Sequence, residues 1–102
     1  MENLQITKNA YGEQFATFNF EGMKIDVRQG RGEWFFKRVD YNLDKEESPS
    51  RKIVSDSLIN YNYVCGRLVT PWTCDAFKVS KECLDRLKIC ALDVMSQMGY
   101  IK

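Results

Sequence analysis

The chain has 102 residues, a formal net charge of +1, 44% hydrophobic and 28% charged residues, four cysteines and no histidine. A chain of this length makes one domain that buries roughly two-thirds of its unfolded surface, so it needs no disulfide or metal to fold. The near-neutral charge argues against a dominant polyanion-binding role, and no apolar run approaches the roughly 18–20 residues that cross a bilayer.

The start, Met1-Glu2-Asn3-Leu4-Gln5, is acidic and then alternating, unlike a secretory signal, which leads us to expect a cytoplasmic protein. Leu4-Gln5-Ile6-Thr7 alternates as a strand does, and Asn9-Ala10-Tyr11-Gly12-Glu13 is rich in turn formers. The most strongly determined stretch follows. Folding Phe20 against Met23 across Glu21-Gly22 pairs Asn19 with Lys24, Phe18 with Ile25, Thr17 with Asp26 and Ala16 with Val27. Alternate pairs are apolar on both strands, and Gly22 supplies a positive φ for the turn, so pattern and turn select one register. After Gln29-Gly30-Arg31-Gly32 comes the β-favouring aromatic run Glu33-Trp34-Phe35-Phe36-Lys37-Arg38-Val39. The expectation is an antiparallel meander of four strands over about 3–9, 14–20, 23–28 and 33–40.

Asp40 to Lys52 is polar and charged and reads as a surface connection. Ser48 as a cap, Pro49 at the first helical position and Gly66 as a stop frame a helix over 49–65, with Val54, Leu58, Tyr61 and Cys65 on one face. Ile59-Asn60-Tyr61-Asn62-Tyr63-Val64 also alternates like a strand, which leaves a helix followed by a strand as the alternative. Thr70-Pro71-Trp72-Thr73 breaks the chain. Ser80 then caps a helix over 81–98, with Leu84, Leu87, Ala91, Val94 and Met98 on its apolar stripe and Gly99 past its end. The fold expected is α+β, a single domain over residues 1–102. Residues 1–40 form a four-stranded antiparallel meander, 41–48 a charged connection, and 49–102 a half whose two helices pack on one face of the sheet.

Chemistry-bearing patterns are sparse. Cys65, Cys74, Cys83 and Cys90 are spaced unlike a zinc knuckle or finger, and Cys83 and Cys90 stand two helical turns apart, too far to bond; reduced, buried thiols are expected, with a four-cysteine metal site as the alternative. Without histidine, neither a Ser-His-Asp nor a Cys-His pair exists within the chain. The acids are dispersed, and Gly30-x-Gly32 precedes a strand rather than a helix, so it is not a phosphate loop. No enzyme and no cofactor is expected.

What remains is the second side of the sheet. Phe15, Thr17, Asn19, Lys24, Asp26 and Arg28 point away from the apolar side, and residues 28–38 hold four basic groups against one acid. Because a strand alternates its faces, Trp34 and Phe36 cannot share a side with Phe35. We take Arg28, Arg31, Trp34, Lys37 and Arg38 as the candidate partner-binding residues. Trp, Tyr and Arg dominate protein docking, while aromatics interleaved with cations also hold single-stranded nucleic acid. The bland alternative is that the rings close the sheet edge and the cations are simply solvated.

Two short resemblances bear on this surface. Arg31-Gly32-Glu33-Trp34-Phe35-Phe36 resembles the basic-Gly-aromatic opening of the RNA-recognition consensus, departing from it at Glu33 and lacking its second half. Phe18-Asn19-Phe20-Glu21-Gly22 with Glu33-Trp34-Phe35-Phe36-Lys37 is similar to the opening of the BRO amino-terminal domains of viral and phage antirepressors, which implies a regulatory, DNA-binding role. Those domains enter a helix soon after the aromatic strand, whereas Tyr41 to Ser48 here is charged and broken. The functional expectation is a small non-enzymatic module that docks on another protein, an inhibitor or adaptor of phage or mobile-element type. The alternative is a weak nucleic-acid binder using the same basic-aromatic surface, and a homodimer built on a sheet edge or helix stripe is a third.

Overall fold

A computed structural model describes residues 1–39, 57–71 and 79–101. The chain reverses between Phe20 and Met23 through Glu21 (φ 47°) and Gly22 (φ 81°), both in the left-handed region that a two-residue hairpin of this twist requires. The flanking strands β2 (Gln14–Phe20) and β3 (Met23–Gln29) pair Phe20 with Met23, Asn19 with Lys24, Phe18 with Ile25, Thr17 with Asp26 and Ala16 with Val27. This is the register read from the alternation. Around the hairpin lie β1 (Glu2–Lys8), β4 (Glu33–Arg38), β5 (Ser57–Asn62) and β6 (Arg67–Val69), and the sheet order is β1-β2-β3-β4-β5-β6 with every neighbour antiparallel.

The expected architecture is corrected in two respects. The sheet has six strands rather than four, and among the described residues there is one helix, α1 (Lys81–Gln97). Residues 57–62, assigned to a helix over 49–65, are strand β5; the rest of that segment up to Asp56, together with the charged connection 41–48, lies outside the described residues. The register explains the misreading. Phe36 pairs with Ile59 and Lys37 with Ser57, so Leu58 is an extra residue bulged between them. The bulge lets Leu58, Ile59 and Tyr61 all be buried, and a Leu58–Tyr61 spacing of three then imitates a helical face. Gly66, read as a helix stop, instead closes the β5–β6 turn at φ 73°, where Asn62 accepts hydrogen bonds at Oδ1 from the amides of Val64 and Cys65. The same outward asparagines that are poor helix formers suit a strand whose outer side is wet.

Helix α1 starts and stops where its end signals stand. Ser80 Oγ accepts from the Cys83 amide at 3.1 Å, and at the far end the Gly99 and Tyr100 amides donate to the carbonyls of Ser96 and Met95, the paired bonds of a Schellman termination. Leu87, Ala91, Val94, Met95 and Met98 are buried against Ala16, Phe18, Phe20, Met23, Ile25, Val27, Phe36 and Ile59. The helix is tied at both ends of the sheet. Arg86 forks onto Glu21 at the β2–β3 turn, with Nε 3.0 Å from Oε2 and Nη2 2.6 Å from Oε1. At the opposite end Tyr100 meets Trp34 edge-on at 5.0 Å and leans on Tyr63 at 5.7 Å.

Two measurements test this account. Trp34 is fully buried, so Trp34→Ala should cost about 3–5 kcal/mol, a large part of the stability of a domain this size, read as a lower urea midpoint by circular dichroism. Trp34→Phe should cost less, since it keeps a ring and removes a buried indole N–H that has no acceptor among the described residues. The Arg86 fork also holds the Glu21 carboxyl below its ordinary value of 4.5. A carboxyl depressed by folding stabilises fully above its unfolded pKa and ceases to as pH falls through the folded value. The stability difference between wild type and Glu21→Gln should therefore be constant above about pH 5.5 and vanish on acidification below 4.5.

Candidate functional site

Helix α1 covers one side of the sheet, and the alternation of each strand sends the remaining side chains to the other. Across that outer side the register aligns Thr7 with Phe15, Arg28 with Phe35, and Phe35 with Asn60, which in turn faces Val69. Ala16 pairs with Val27, which brings Phe15 beside Arg28, so one row crosses all six strands. At its centre the Arg28 guanidinium lies 4.9 Å from the centroid of the Phe15 ring and donates to Asp26 Oδ2 at 3.1 Å. Phe35, on the other flank, lies over Gly30 so closely that a Cβ there would stand 2.2 Å from the ring. Gly30 is therefore required by the ring above it.

The five candidate residues are not brought together. Arg28 and Lys37 share the outer side, where Lys37 stands opposite Asp26 and opposite Ser57. Arg31 is exposed in the β3–β4 turn. Trp34, expected on the contact surface, is in the core with 0% exposure, because it shares the parity of Phe36, Val27 and Ile25, which the helix must cover. Arg38 is half-buried opposite Ile25 at the end of β4.

Beside Arg28 the outer side opens into a cleft of about 230 Å³, whose described lining is Arg28, Gln29, Phe35, Lys37, Ser57, Asn60 and Pro71. Ser57 Oγ lies in hydrogen-bonding contact with Asn60 Oδ1 and with the Ile59 carbonyl, which holds the Asn60 amide at the cleft. Lys37 makes no ion pair among the described residues. Ser57, Asn60 and Pro71 were missed because they were read as helix and chain break; the Ile59–Asn62 alternation was the signal that marks Asn60 as outward. A larger hollow of about 530 Å³ opens near Met1, Glu2, Asn19, Glu21 and Lys24. It lies among chain-end and turn residues of both charges, and Glu21 there is already committed to Arg86.

Nucleophilic and metal chemistry finds little support. Burial, and then the negative charge of Glu21, push the Cys83 thiol up, which disfavours the reactive thiolate. Cys65, expected to be buried, is exposed, Cys83 and Cys90 are half-buried, and all three are free; Cys74 lies outside the described residues. Among the described residues no group of three acids or cysteines is placed to hold a metal ion, and no helix is long and apolar enough to cross a membrane.

No family model, curated protein or solved structure matches the chain, so the antirepressor resemblance and the phage origin gain no support from relatives.

Replacing Gly30 with alanine should displace the Phe35 ring from the sheet while leaving the inward core intact. The expected result is a large change in the Phe35 aromatic proton shifts with little loss of far-ultraviolet circular dichroism.

Proposed function

We propose that the chain is a non-enzymatic docking module of the cytoplasm that binds another protein through the outer side of its sheet. The observation that supports this most is the Phe15–Arg28–Phe35 row, in which a cation clamped by Asp26 and by an aromatic ring stands between two rings on adjacent strands. Interface anchors are residues of this kind, rigid before contact and rich in apolar area. Three free thiols among the described residues fit a reducing compartment.

The charge arrangement favours protein over nucleic acid. Phosphate binding needs many uncompensated cations, whereas Arg28 is paired with Asp26, Glu33 lies on the same strand as Lys37, and the whole chain carries +1. One face of the Phe15 ring is also already occupied by Arg28, which leaves less of it for base stacking.

The test compares affinity capture from nuclease-treated lysate by wild type, by an Arg28→Glu/Lys37→Glu double variant and by Lys81→Glu, a control on the exposed start of α1. Partners held by wild type and by the control should be lost by the double variant, with affinity for the purified partner falling about tenfold or more. Partners retained by a folded double variant would overturn the reading. So would steeply salt-dependent oligonucleotide binding that the double variant loses, which would transfer the surface to nucleic acid.

A further inference from the structure

The cleft beside Arg28 has a chemical bias that narrows the partner. Its described polar lining is the Arg28 guanidinium, the Lys37 ammonium, the Gln29 and Asn60 amides and the Ser57 hydroxyl, so its charged groups are both cations. Its walls, Phe35 and Pro71, are apolar. Two cations at one cleft are costly to cover with an apolar or cationic group and favourable to cover with an anion. Asp26 sets the valence. It draws on Arg28 and stands opposite Lys37, so the three groups sum to a single positive charge, which complements a monoanion and leaves a second negative charge uncompensated.

We infer that the cleft receives the carboxylate of an Asp or Glu side chain in an extended segment of the partner protein, with a neighbouring apolar side chain of that segment against Phe35 and Pro71. This rests on the docking reading above. Lys37 is the decisive contact, since Arg28 is already held by Asp26 and Phe15 while Lys37 has no ion pair among the described residues. A volume of about 230 Å³ accommodates one such side chain.

The probe is a library of short random peptides displayed on phage and selected on the full chain, with the selected sequences then titrated as synthetic peptides against wild type, Lys37→Glu, Lys37→Gln and Phe35→Ala. Selected peptides are expected to carry Asp or Glu next to an aromatic or aliphatic residue. Their affinity should fall about tenfold on Lys37→Gln and further on Lys37→Glu, and changing the peptide's acid to its amide should weaken wild type about tenfold but Lys37→Gln little. Lys37→Gln, which removes the charge without reversing it, serves where charge reversal unfolds β4. Peptides that need Phe35 but lack an acid, or that bind Lys37→Gln as well as wild type, overturn this inference and leave the docking surface standing. Peptides indifferent to Phe35→Ala as well, or no enrichment at all, overturn both.

Discussion

The structure depends on the register of one β-ribbon. Phe18, Phe20, Met23, Ile25 and Val27 face the same way because the turn at Glu21-Gly22 admits two positive φ values and the strands admit no slip. That leaves an apolar surface too large to stand in water, and the amphipathic stripe of α1 is what covers it. The position of the helix follows from its two ends. Arg86 reaches back to the turn residue Glu21, and the reversal at Gly99 delivers Tyr100 onto Trp34. The residue in the least favourable backbone conformation of the hairpin, Glu21, is thus the one that the helix grips.

Among the described residues α1 covers one side of the sheet, which gives the sheet two unequal sides. Inward residues are chosen by packing, and the aromatic pair Trp34 and Phe36 belongs to them. Outward residues are free of that demand, and there the strands place Phe15, Arg28, Phe35, Lys37 and Asn60. Phe35 stands between these neighbours in sequence but not in environment, and Gly30 makes room for it where any Cβ would collide. Asp26 both steadies Arg28 and lowers the charge of the surface, turning what composition suggests is a basic strip into a weakly cationic, donor-rich one.

The edges of the sheet are less suited to contact than its outer side. Strand β1 is irregular where Asn3 takes φ 57°, between the pairs at Glu2 and Gln5, and bulged edges resist pairing with another chain. Strand β6 is three residues long and is followed at once by Thr70-Pro71, where proline offers no amide proton. Both edges therefore carry features that hinder strand addition, whereas the outer row is regular across the sheet.

Local pattern determined a good deal by itself. The β2–β3 pairing, the outward course of Arg28, the cap at Ser80 and the stop at Gly99 all depend on neighbours within a few residues, and a two-residue or near-four-residue period records them directly. Residues 57–62 were only partly legible: Ile59 to Asn62 alternates, but a bulge at Leu58 breaks the two-residue period and its cause lies across the sheet in Phe36 and Lys37. The candidate site divided along the same line. Alternation separates Trp34 from Phe35 but does not say which of them the helix covers, and only the arrival of α1 on the Phe36 side buried Trp34 and left Phe35, Lys37 and Asn60 facing out. Short-range stereochemistry sets which residues share a side; long-range packing decides which side meets water.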